Sequence, residues 1–158
     1  MEKVIVIAAD SEFEQIKPLT KTKIIKTGIG YANVIKSLQN LDRNTKIINI
    51  GYAGSNTIAR GTVVKIKNCF NYHPNCGEFD EPKFVLNGQT DCYTSGDFVV
   101  KTDITQPVVF DMELYAICAL GFKNIESYKV VSDCLSLNQY EEANFTKKFE
   151  EIINLIGE

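Results

Sequence analysis

Histidine occurs once in these 158 residues, at His73, and arginine only twice, at Arg43 and Arg60. One imidazole leaves no dependable Ser-His-Asp or Cys-His catalytic pairing, since both need a histidine beside the nucleophile. Two arginines leave little for bidentate capture of phosphate. No apolar run is long enough for a membrane span or the hydrophobic part of a secretory leader; the N-terminal run, residues 4–9, is strand-sized. Basic stripes are missing too: the net charge is −3 with lysines scattered, which argues against nucleic acid as a partner. Without a leader, the five cysteines fit a reducing cytoplasm, the expected location. Cys118 and Cys134 sit in apolar surroundings and are expected to be core thiols.

What is present is an α/β layer pattern in one domain, 1–158. Strands are expected at residues 4–9, 24–25, 46–50, 62–68, 83–86, 98–101, 108–110 and 128–131. Helices are expected from Tyr31, over 113–120 and over 139–155, where Phe145, Phe149, Ile152, Ile153 and Ile156 share a face. Pro74, Gly77, Pro82 and Gly88 mark residues 69–97 as loops around one short strand.

Three acids follow apolar strands: Glu12, Glu113 and Asp133. Beyond strand ends of an open α/β sheet, side chains project into the crevice where ligands bind. Taken alone, Glu12 is an acid at a helix start, with Asp10 or Ser11 as the N-cap, and Asp111 reads as a turn residue. Gly28-Ile29-Gly30 is a strand-to-helix turn but no dinucleotide fingerprint, because Asn33 replaces the third glycine and Asn49-Ile50 offers no acid. Gly51-Tyr52-Ala53-Gly54 reads as a second small-residue turn, either a plain loop or one whose backbone N–H groups approach a ligand. Cys69, His73, Cys76 and Cys92 are zinc-binding types at a spacing matching no standard site, so no metal is assigned.

In chain order, these segments resemble the purine nucleoside phosphorylase superfamily, nearest its methylthioadenosine/S-adenosylhomocysteine nucleosidases. The matching pieces are Val6-Ile7-Ala8-Ala9-Asp10-Ser11-Glu12, Thr27-Gly28-Ile29-Gly30, Asn49-Ile50-Gly51-Tyr52-Ala53-Gly54, Ser95-Gly96-Asp97, Asp111-Met112-Glu113 and Val131-Ser132-Asp133, with a fainter Asn71-Tyr72-His73-Pro74. The resemblance implies a three-layer fold with a central mixed β-sheet flanked by helices, nucleoside phosphorylase-like. It also implies cleavage of the N-glycosidic bond of a purine nucleoside.

On that resemblance Asp133 protonates or hydrogen-bonds purine N7, oriented by Ser132. Glu12 positions or activates water, Glu113 binds the ribose hydroxyls, and Met112 packs on the sugar. Val99 and Val100 take the places of a base-stacking aromatic and its backbone contacts, with Phe98 one position early. Gly51 and Tyr52 belong to the ligand loop, where Tyr52 replaces a small residue and its bulk is expected to fill ligand space. The scarcity of arginine favours water over phosphate as nucleophile. No cofactor is implied; the partners are a small-molecule nucleoside and a second copy of the chain, a homodimer first. The alternatives are a catalytically degenerate nucleoside- or purine-binding protein of the same fold, and a nucleoside phosphorylase.

Overall fold

The computed structural model describes residues 2–74 and 81–157. The chain opens with β1 (Lys3–Ile7), whose residues alternate between two buried layers. Ile5 and Ile7 join one core, Val4 and Val6 another. On the first side pack α1 (Asp10–Ile16) and α5 (Thr146–Leu155), through Ile16, Phe149, Ile152 and Ile153. On the other lie α2 (Tyr31–Leu38) and α3 (Leu114–Ala119), through Val34, Leu38, Ala116 and Ile117. Helices on both faces of a mixed sheet make the expected three layers.

Strand β1 lies between β2 (Ile24–Lys26) and β3 (Lys46–Ser55), parallel to both. Strand β3 continues in parallel to β8 (Asn124–Asp133), which runs antiparallel to β4 (Val63–Asn71). From β4 the pairing passes to β6 (Thr90–Thr94) and to β7 (Val108–Asp111), and β7 returns to the far end of β3 at Gly54 and Ser55. The strands β3, β8, β4, β6 and β7 therefore close on themselves. The two-residue β5 (Phe84–Val85) edges β4.

Several expectations change. Gly51-Tyr52-Ala53-Gly54 is no turn: β3 runs straight through it, buried throughout. Strand β6 appears in the stretch read as loops; its threonines and aspartate hid it, and Thr94 is buried because its hydroxyl bonds Asp111. Residues 98–101 form no strand. The single C-terminal helix is two, α4 (Leu137–Glu142) and α5, because Ala143 is extended and Phe145 turns its N–H to the Tyr52 hydroxyl at 2.8 Å. Cys118 is buried as expected, whereas Cys134 is exposed. Helix α1 begins at Asp10, so neither Asp10 nor Ser11 caps it; Asp10 pairs instead with Lys26 at 2.6 Å.

Candidate functional site

The strand ends converge on a cavity of about 270 Å³, into which Glu12, Glu113 and Asp133 all open. Each acid is held by backbone N–H groups. Glu12 lies in the first turn of α1 and reaches back to the Ala9 N–H at 2.9 Å, half of a capping box. Its other oxygen accepts the Tyr52 N–H of β3 at 2.6 Å. Burial raises its pKa above the ordinary value, and those two N–H groups oppose the rise.

Glu113 follows β7 and accepts the Gly30 N–H at 2.8 Å. Gly28 and Gly30 hold φ of +91° and +92°, a conformation that side chains with a Cβ rarely adopt, and this aims the N–H at the carboxyl. Burial, then the neighbouring Asp111 charge, push the Glu113 pKa up to about 8. At neutral pH its carboxyl keeps its proton and can donate as well as accept a hydrogen bond.

Asp133 ends β8. Its Oδ1 accepts the N–H of Leu135 at 2.9 Å and of Ser136 at 3.2 Å, while Oδ2 accepts the Ser132 hydroxyl at 2.6 Å. Leu135 takes φ +64° to make this turn. Oδ1 is fully used, and Oδ2 has one lone pair left, with the residue fully buried. Behind it, Arg60 donates to the Ser132 carbonyl at 2.9 Å.

Asp111 is not a turn residue. It is the buried last residue of β7, and it accepts from Thr94 Oγ1 at 2.5 Å, Cys92 Sγ at 3.3 Å and the Leu114 N–H at 2.9 Å. Lys129 Nζ lies 3.2 Å from its Oδ2, and both side chains are at most 2% exposed. Burial alone would lower the lysine's pKa; Asp111, then Cys92, Glu113 and Glu12, outweigh it and raise the Lys129 pKa. Lys129 escaped the reading of the sequence, though a charged residue inside the apolar run Tyr128-Lys129-Val130-Val131 was a signal.

The remaining candidates divide. Tyr52, Met112 and Ser132 line the cavity with the acids. Tyr52 does not plug it: its hydroxyl donates to Gln15 at 2.6 Å and its ring lies 4.9 Å from Phe149. Gly51 sits beneath Glu12, where a Cβ would come within 2.6 Å of Oε2. Val99 borders only a small adjoining space of about 20 Å³. Val100 is 62% exposed and lines neither, because residues 98–101 leave no strand to turn it inward. Phe98 lines the cavity in their stead, together with Tyr140 of α4, which the sequence did not suggest.

Neither arginine lines the cavity; Arg43 instead donates to the carbonyls of Leu120 and Leu41, each at 2.6 Å. Of the cysteine–histidine group, Cys69 and Cys92 are register partners buried in β4 and β6, and His73 pairs with Glu81. Cys76 lies outside the described residues. Among the described residues no group of three His, Cys, Asp or Glu side chains is arranged to hold a metal ion. No helix among them is long and apolar enough to cross a membrane.

No protein-family model matches the chain, and no curated protein matches its sequence. Solved structures do. A 5′-methylthioadenosine/S-adenosylhomocysteine nucleosidase from Neisseria meningitidis, in complex with methylthio-immucillin-A, superposes with a TM-score of 0.79 at 14% identity, covering 99% of both chains. This is the nucleosidase fold. The nucleosidase from Chlamydia trachomatis aligns at 17% identity and a TM-score of 0.78, over 99% of this chain and 97% of its own. Futalosine hydrolase from Helicobacter pylori gives 12% and 0.78, over 97% and 96%. Within the nucleosidase fold, the cavity of this chain lies beyond the ends of β7 and β8, with β3 along one side.

Proposed function

We propose that this protein hydrolyses the N-glycosidic bond of a purine nucleoside of the general methylthioadenosine/S-adenosylhomocysteine type, releasing the free base and the sugar. The carrying observation is the convergence of Glu12, Glu113 and Asp133 on one cavity, each tethered by backbone N–H groups. The purine lies at Asp133, with N7 against Oδ2, so that protonation or hydrogen bonding there makes the base a better leaving group. Glu113 takes the ribose 2′- and 3′-hydroxyls, with Met112 against the sugar. Glu12, whose burial makes it a stronger base than an exposed glutamate, orients and deprotonates the attacking water. The transition state resembles an oxocarbenium ion, and the surrounding carboxyl groups favour its positive charge.

Water rather than phosphate is the nucleophile, since no arginine borders the cavity. The reading carries with it a homodimer in the cytoplasm, whose size sedimentation would measure. Incubating the protein with adenine, guanine and hypoxanthine nucleosides, with and without phosphate, tests the reaction. Free base without phosphate is expected. Base released only with phosphate would make the protein a phosphorylase, and nucleoside binding with no base from any substrate would make it a binding protein.

A further inference from the structure

Arg60 lies outside the cavity and forms no ion pair among the described residues. Its guanidinium donates to backbone instead. Nε reaches the Ser132 carbonyl at 2.9 Å, and Nη2 reaches the Gln139 carbonyl at 3.4 Å. The first carbonyl belongs to β8, one residue before Asp133; the second belongs to α4, which faces the cavity with Leu137 and Tyr140. The arginine is itself anchored. The neighbouring Gly61 donates its N–H to Val131 at 2.7 Å, and the guanidinium lies over the Phe145 ring, 5.9 Å from its centroid.

The segment between those two carbonyls is the one that seats Asp133. Its turn passes through Leu135 at φ +64°, a left-handed conformation unfavourable for leucine, which persists where surrounding bonds over-determine it. Two of those bonds come from Asp133 itself, whose Oδ1 accepts the Leu135 and Ser136 N–H groups. They weaken whenever the carboxyl takes a proton, because a neutral acid is a poorer acceptor than a carboxylate. The others do not depend on that carboxyl. Gln139 accepts the Cys134 N–H at 2.7 Å, its own N–H reaches Ser136 Oγ at 3.3 Å, and Arg60 ties both ends of the segment. A group that gains and loses a proton without moving needs such an independent tether.

We propose that Arg60 is a positioning residue for Asp133. From outside the cavity its planar fork clamps the Ser132 carbonyl to the Gln139 carbonyl, so the carboxyl keeps its aim whether or not it carries the proton. The proposal rests on the nucleosidase reading above for what Asp133 does to the base. Lysine is no equivalent here, since one ammonium cannot reproduce the two fixed directions of the fork. Arg60 is exposed, so the slot left by its removal is open to a small cation.

The test follows base release from methylthioadenosine by the wild type, Arg60→Lys and Arg60→Ala, the last also with added ethylguanidinium or ethylammonium. Amide hydrogen exchange over residues 133–143 and thermal melts are measured on the same proteins. Both variants are expected to melt near the wild type and to lose about ten- to a hundredfold in kcat, with KM changed less than about threefold. Ethylguanidinium should restore much of the kcat of Arg60→Ala and ethylammonium should not. The Leu135 and Ser136 amides should exchange faster in both variants. Wild-type kcat in Arg60→Lys, a loss confined to KM, a kcat loss that ethylguanidinium fails to reverse, or equal rescue by both cations overturns the positioning role and leaves the hydrolase standing. If the wild type releases no base from methylthioadenosine or any other purine nucleoside, the hydrolase reading fails and exchange alone judges Arg60. Faster exchange at Leu135 and Ser136 then keeps the clamp; unchanged exchange overturns it.

Discussion

On the floor of the cavity Glu12, Asp111, Glu113 and Asp133 each accept at least one backbone N–H. On its wall Phe98, Leu137 and Tyr140 meet the cavity through side chains that make no hydrogen bond among the described residues. The acids are therefore placed by backbone at and just beyond the strand ends, in the turns and first helical residues that follow them. The wall comes from a loop and a six-residue helix packed by aromatic edges. A change on the floor strikes the chemistry or the fold; a change on the wall alters what fits.

The largest effect belongs to Asp133. Asp133→Asn keeps an acceptor for Leu135 and Ser136 but has no proton to give, and base release should fall about a thousandfold. Its thermal melt should stay near that of the wild type; unchanged turnover would move the proton donor elsewhere. Next is the buried ion pair. Lys129→Met leaves Asp111 uncompensated and should cost about 3–5 kcal/mol in urea unfolding, and the added change Asp111→Asn should recover part of it. Full stability in Lys129→Met would mean that the floor does not depend on this charge.

Glu113 gives a smaller, pH-dependent effect. Its pKa rises from 4.5 to about 8 on folding, so the folded chain binds this proton more tightly than the unfolded chain does. The resulting stability is full below pH 4.5 and is lost as pH rises through about 8, by at most about 1.4 kcal/mol per pH unit. Glu113→Gln, neutral throughout, should flatten that slope in melts from pH 5 to 9 and be the more stable form above pH 8. An identical slope would place the loss on another group. Smallest on stability is the wall: Phe98→Ala removes the ring against Tyr140 and should raise KM severalfold while shifting unfolding by about 1 kcal/mol.

The same division decided what could be read in advance. Glu12, Glu113 and Asp133 were legible because each follows an apolar strand run, and the continuous apolar run of β1 and the spacing in α2 indicated the layers. Residues whose partners lie far along the chain were not. Thr94 looks like loop composition until Asp111 is beside it, and Lys129 looks solvated until the sheet closes over it. The break between α4 and α5 depends on Tyr52, 93 positions away from Phe145. Tyr140 went unseen for the same reason, since the pattern around it is that of any amphipathic helix.

Two glycines of β3 carry a consequence for the sheet as a whole. A methyl group on Gly51 would stand 2.6 Å from the Glu12 carboxylate, and one on Gly54 would stand 2.7 Å from Asp133 Oδ1. Across the ladder Gly51 pairs with Lys129 and Gly54 with Asp133 itself. If β3 slid by one residue, Tyr52 or Ile50 would bring a side chain where only hydrogen fits, and an acid would be expelled from its seat. The alignment of the strands and the alignment of the carboxyl groups are thus one constraint: the fold cannot lose its register without losing its acids.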